Sequence, residues 1–117
     1  MQKIFLSVVL FLLSAVAYSE GEFKPYKITP GISYYSNEYS IRNGVAQLGA
    51  EKNFEEIYQN YNYYEAVFDE QQRMVVFKAY KRGSIEFSET YVYEGVANGP
   101  VRKIITSPDG AETVVEF

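Results

Sequence analysis

Residues 61–93 read YNYYEAVFDEQQRMVVFKAYKRGSIEFSETYVY, and the period of this stretch decides the fold. Tyr61 to Phe68 alternates as a strand does. Asp69-Glu70-Gln71-Gln72 is a turn, and Arg73 to Tyr80 is a second strand. Lys81-Arg82-Gly83 is a turn whose glycine accepts positive φ. Ser84 to Tyr93 is a third strand, with Ile85, Phe87, Tyr91 and Tyr93 on one face and Glu86, Ser88, Thr90 and Val92 on the other. A loop over 94–100 leads to a fourth strand, Val101 to Thr106. Ser107-Pro108-Asp109-Gly110 is a turn, and Thr113 to Phe117 is a fifth strand. Short loops between successive strands demand antiparallel neighbours. The stretch 73–80 is apolar at both parities, which predicts a central strand covered on both sides.

Upstream the signals are mixed. Residues 32–41 are rich in β-formers and Asn43-Gly44 is a turn. The window 45–60 holds the helical candidate. Asn53 with Glu56 resembles a capping box, and Phe54, Ile57, Tyr58 and Tyr61 stand at helical spacing. Val45 to Leu48 reads as a separate turn, because Gly49 weakens a continuous helix. The expected fold class is α+β: an antiparallel β-meander of four to five strands with one short helix packed on it. The expected core is Ile57, Val67, Val76, Phe87, Tyr91 and Ile105, or their strand alternates.

The N-terminus reads as a targeting segment. Lys3 precedes the apolar run Ile4 to Leu13, and Ala15-Val16-Ala17 is a small-x-small cleavage site. The expected organisation is a signal peptide at 1–17, an N-terminal segment at 18–60 carrying strands and the short helix, and the meander at 61–117, the last two forming one domain. Cleavage leaves about 100 residues, enough for one core. The 117 residues contain no Cys, and no Asn-x-Ser/Thr acceptor occurs. A small exported domain without disulfides fits a bacterial periplasmic or secreted protein. No membrane span is expected after cleavage, since no other apolar run approaches the about 20 residues a helix needs.

Within residues 61–110, Phe68-Asp69-Glu70-Gln71-Gln72-Arg73-Met74 and Tyr80-Lys81-Arg82-Gly83 place an aromatic residue before each turn. The stretch resembles bacterial MORN-variant and YD-type β-hairpin repeats. Their pattern is an aromatic-acidic pair, a turn, a basic-aliphatic pair, then Tyr-Lys-x-Gly. Gln72 stands where that pattern has Gly, and the loop at 95–100 is an insertion. The resemblance implies a hairpin array and no activity. It also implies protein binding or an immunity-type role, as in the understood members of the class.

Composition removes several chemistries. No His means no imidazole base or ligand, and no Cys means no thiolate. The formal net charge of -4 opposes nucleic-acid binding, which draws on a basic face. Asp69 and Asp109 sit in turns and lack the alternating oxygens of a calcium loop. Glu65 and Glu89 lie on candidate adjacent strands and are the carboxylates best spaced for a sugar site, but their simpler role is a polar sheet face shared with Lys78 and Arg102. No enzyme activity, catalytic residue, metal ligand or cofactor is expected.

The compositional excess is 12 Tyr and 8 Phe. At any single Tyr a cross-strand aromatic ladder is the simpler reading. Consecutive tyrosines on a strand point to opposite faces, however, so Tyr63 and Tyr64 cannot share a one-sided core. Tyr61, Tyr63, Tyr64, Tyr80, Tyr91 and Tyr93 are the candidate binding residues, with Arg82 at a turn tip. The function these readings favour is an exported, non-enzymatic protein-binding module, including inhibitor or immunity-type roles. It would use a Tyr-rich sheet face or an edge strand, with another protein as partner. The alternative is a carbohydrate- or cell-envelope-ligand binder with rings flanked by residues such as Asn62, Glu65 and Gln59.

Overall fold

The computed structural model describes residues 23–25 and 27–117. The expected signal peptide at 1–17 lies outside the described residues. Among the described residues there are eight strands and one helical turn: β1 (Tyr34–Ser36), β2 (Tyr39–Arg42), β3 (Val45–Leu48), α1 (Phe54–Ile57), β4 (Asn62–Phe68), β5 (Met74–Lys81), β6 (Ser84–Val92), β7 (Arg102–Thr106) and β8 (Glu112–Glu116). Six of them form one antiparallel sheet in the order β1-β4-β5-β6-β7-β8, while β2 and β3 form a separate hairpin.

Local chemistry sets the turns. Arg82 and Gly83 both take positive φ, 55° and 79°, and join β5 to β6. Asn43 and Gly44 do the same between β2 and β3, at 53° and 80°. Paired positive φ values give the turn whose twist matches the flanking strands. Between β4 and β5, Asp69 Oδ1 accepts hydrogen bonds from the amides of Gln71 and Arg73, each 2.9 Å. Gln72 follows in the left-handed region at φ 63°.

The α+β expectation is corrected: the described residues are mostly β with one very short helix, and the large sheet is not a four- to five-stranded meander. Two departures account for this. Residues of the N-terminal segment at 18–60 add a strand to the large sheet, because β1 pairs with β4 (Tyr34 opposite Ala66, Ser36 opposite Tyr64). The helical window 45–60 is mostly not helical. Val45–Leu48 is strand β3, paired with β2 across the Asn43-Gly44 turn. The capping box at Asn53 and Glu56 forms, but α1 spans four residues. Ile57 is its one buried residue, and the amide of Asn60 donates to the Ile57 carbonyl at 2.8 Å, closing the turn. A single buried residue gives too little tertiary packing to extend a helix that is marginal on propensity alone.

Register then distributes the side chains. Tyr34, Ala66, Phe77, Glu89, Ile105 and Thr113 lie opposite one another across the six strands. They belong to the inner face, over which the β2–β3 hairpin folds. Ala46 and Leu48 of β3 join Tyr34, Ala66, Phe68, Met74, Phe77, Ala79 and Tyr91 in the core. The Tyr39 ring of β2 lies 4.5 Å from Tyr64 and 5.2 Å from Phe77, centroid to centroid. Of the expected core, Ile57 and Tyr91 are buried, whereas Val67, Val76, Phe87 and Ile105 are half-buried. The strand alternates Ala66, Phe68 and Phe77 take the central places. A shift in register explains how Met74 joins them: Val67 faces Val76 but Phe68 faces Met74. The extra residue, Val75, bulges, so Met74 reaches the same face as Phe77 three positions on.

The outer face starts with Tyr35, Tyr63 and Tyr80, on which α1 packs. The Phe54 ring is 5.1 Å from Tyr35 and 6.3 Å from Tyr63. Phe77 is fully buried between its neighbours. Phe77→Ala is therefore expected to lower the unfolding free energy by about 3–5 kcal/mol, and Val76→Ala by less. Urea denaturation of both variants checks the face assignment.

Candidate functional site

The tyrosines singled out from the sequence do not form one patch. Tyr63 and Tyr91 are buried, Tyr64, Tyr80 and Tyr93 are half-buried, and Tyr61 is exposed. Tyr61 and Arg82 do meet: the guanidinium lies 5.3 Å from the ring centroid, with the Lys81 ammonium at 5.8 Å. Tyr63 and Tyr80, directly opposite on β4 and β5, stack at 4.6 Å. Tyr80 then donates to Glu65 Oε1 at 2.5 Å, and Ser33 donates to Glu65 Oε2. Burial, then the hydrogen bond to Glu65, pushes the Tyr80 hydroxyl well above its ordinary pKa.

Two of the other rings serve as anchors. Tyr91 donates to Glu89 and accepts the amide of Ala46 at 2.9 Å, so β6 holds β3. Lys103 of β7 completes this cluster. Its ammonium is 3.6 Å from Glu89 Oε2 and donates to the Gly44 carbonyl at 2.8 Å. Burial is the main reason the Tyr91 hydroxyl is also held well above its ordinary pKa. The Ala46 amide opposes that rise and Glu89 adds to it. Tyr93 donates to the Met74 carbonyl at 2.6 Å, under the Arg73 guanidinium 4.4 Å from its ring centroid. Arg73 also bonds Asp69 and the carbonyls of Gly95 and Ala97, at 2.8–2.9 Å, and so fixes the 94–100 loop.

Between the hairpin, the β4–β5 turn and that loop lies a cleft of about 950 Å³. Tyr39, Gln47, Gln71, Gln72, Tyr93 and Asn98 contribute to its walls. The residues considered for a sugar site lie elsewhere. Glu65 is buried in its hydrogen bonds on the outer face, while Asn62 and Gln59 are exposed away from the cleft. Glu65 and Glu89 do not sit on adjacent strands. β5 separates them, and alternation sends them to opposite faces, Glu65 opposite Lys78 and Glu89 opposite Phe77.

The two edges of the large sheet differ. At β1 the Lys52 amide donates to the Tyr35 carbonyl at 2.8 Å, covering the edge. No strand covers β8 among the described residues. The direction of its free groups follows from parity. Phe117 N donates to the Val101 carbonyl at 3.0 Å, and Ser107 N donates to the Ala111 carbonyl at 2.9 Å. Residues 111, 113, 115 and 117 thus aim their backbone groups at β7, and Glu112, Val114 and Glu116 aim theirs outward. Those three side chains share the outer face. Val114 ends a row running Val67, Val76, Thr90, Ile104, Val114 across five strands. Val114 is 54 % exposed. Reading the sequence missed Glu112, Val114 and Glu116, although the pattern Glu-x-Val-x-Glu at the end of the last strand carries a signal. Charged residues flanking a short apolar strand are the usual mark of an edge.

No protein-family model, curated protein or solved structure matches the chain. Among the described residues no helix is long and apolar enough to cross a membrane.

The raised tyrosines predict alkaline behaviour with a definite sign. Above about pH 10 the unfolded chain gives up tyrosine protons that Tyr80 and Tyr91 retain when folded, so unfolding gains. Stability is expected to be full below about pH 9 and to fall as pH rises beyond 10. Tyr80→Phe and Tyr91→Phe are each expected to make that fall less steep. Urea titrations across the alkaline range read the slope.

Proposed function

We propose that the protein is an exported, non-enzymatic protein-binding module that accepts an extended partner strand on β8. The observation that carries this reading is the asymmetry of the sheet. One edge is covered by Lys52, and the other offers the backbone groups of Glu112, Val114 and Glu116 beside an aliphatic row. A strand added there gains main-chain hydrogen bonds for affinity and alternate side-chain contacts for specificity. The signal-like segment at 1–17 supports export to the periplasm or beyond. The resemblance of residues 61–110 to hairpin repeats whose understood members mostly bind proteins points the same way. The Tyr-rich face contributes less than the edge, because Tyr63 and Tyr91 are buried and Tyr91 holds the hairpin. An inhibitor or immunity role is one form such strand capture takes.

A second reading, a carbohydrate- or envelope-ligand binder, draws on the cleft. Its rings and amide side chains suit a neutral, hydroxyl-rich ligand.

Val114→Pro separates the two. The Val114 amide points away from β7, so proline there removes an outward donor without breaking a bond of the sheet. In a pull-down from the exported fraction, the wild-type protein is expected to recover one stoichiometric protein that the folded Val114→Pro variant loses. Retention on peptidoglycan with no protein recovered would overturn strand capture in favour of the cleft.

A further inference from the structure

We propose that the strand accepted by β8 comes from a cationic partner and carries two basic residues flanking a β-branched one, and that it is not a second copy of this chain. This rests on the strand-capture reading above and names the chemistry of the occupant.

The argument follows the register outward. An antiparallel strand bonding to the free groups of β8 places three of its residues directly opposite Glu112, Val114 and Glu116, with Cβ atoms about 4.5–5.5 Å away. All three β8 side chains lie on the outer face. Opposite Val114 the incoming residue extends the row Val67, Val76, Thr90, Ile104, Val114, where a β-branched side chain packs best. Opposite Glu112 and Glu116 it meets carboxylates. Glu112 faces Thr106 and forms no ion pair with the described residues. Glu116 already meets Arg102, whose Nε lies 2.8 Å from its Oε2 on the β7 side. A cation beyond Glu116 would continue an alternation of charge across the strands. The net charge of -4 adds a long-range attraction for a basic partner.

The same two glutamates oppose self-association. Antiparallel pairing of β8 with its own copy about Val114 sets Glu112 against Glu116 of the second chain, twice. Like charges directly opposite destabilise a pair. Shifting that register by two residues instead places one glutamate of each chain, Glu112 or Glu116 according to the direction of the shift, opposite Val114 of the other, which forfeits the aliphatic contact. β8 therefore rejects itself while remaining open to a basic strand, as protected natural edges do.

The test uses the protein and two labelled peptides of equal length, one carrying Lys-Thr-Val-Thr-Lys and the other Glu-Thr-Val-Thr-Glu, read by fluorescence anisotropy. The lysine peptide is expected to bind about tenfold or more tightly than the glutamate peptide at low salt. The gap is expected to narrow as salt is raised, because the charges are exposed. Glu112→Lys, at an exposed position, is expected to shift preference toward the glutamate peptide, and Val114→Pro to abolish binding of the lysine peptide. Equal affinity for both peptides, lost in Val114→Pro, would overturn the charge rule and leave strand capture standing. Binding that survives Val114→Pro in the folded protein would overturn strand capture itself. Failure of the lysine peptide to bind, or a dimer in ultracentrifugation that Val114→Pro dissolves, would overturn the cationic occupant.

Discussion

The fold depends on covering the aromatic centre of the inner face without help from disulfides. Phe77 lies in the middle strands of the sheet, and a two-stranded hairpin is what keeps water from it. Apolar contact alone does not orient that hairpin. Glu89, Tyr91 and Lys103 do so, by taking hold of the Ala46 amide and the Gly44 carbonyl. A buried polar cluster of this kind is costly unless every member is bonded, and no buried side-chain nitrogen or oxygen among the described residues lacks a hydrogen-bond partner. Such satisfaction specifies one seating of the hairpin, where apolar packing would tolerate several.

The tyrosine excess follows from the same constraint. In a thin sheet with one turn of helix on one face and a hairpin on the other, few side chains can be sealed completely. A phenol ring supplies apolar area and carries a hydroxyl that bonds where the cover ends. Tyr80 reaches Glu65, Tyr91 reaches Glu89 and Tyr93 reaches the Met74 carbonyl. Read from sequence, the abundance of tyrosine points toward recognition. In the folded protein much of it is the means by which a small core closes.

What could be read in advance was what short-range chemistry decides. Asn43-Gly44 turns where both residue types accept positive φ, and Lys81-Arg82-Gly83 turns where Gly83 accepts it, with Arg82 drawn to φ 55° beside it. The period-two stretches after Tyr61 are strands for the same local reason. Features set by distant contacts were not legible. The helical spacing of Phe54, Ile57, Tyr58 and Tyr61 is genuine, yet the sheet receives Ile57 alone in full burial, and the helix stops there. Val45–Leu48 is a strand only because β2 lies alongside it. Since β5 is apolar at both parities, its alternation could not tell Phe77 from Val76. The bulge at Val75 and the seat of the hairpin decide it. The open edge is legible only in part for a related reason: Glu-x-Val-x-Glu marks β8 as a strand suited to an edge, but which strand lacks a neighbour is decided by the assembled sheet.

The hairpin's attachment has a mechanical corollary. Among the described residues its strands share no main-chain hydrogen bond with the six-stranded sheet, being held by side chains from Tyr91 and Lys103 and by ring contacts from Tyr39. The molecule is thus built like a hinged locket, whose leaf can lift while every ladder in the plate beneath stays intact. Slow isotope exchange would then persist at Ala66 and Phe77 through excursions that already wet the amides of Ala46 and Leu48, and the first crevice offered to a protease would be the aromatic floor left behind.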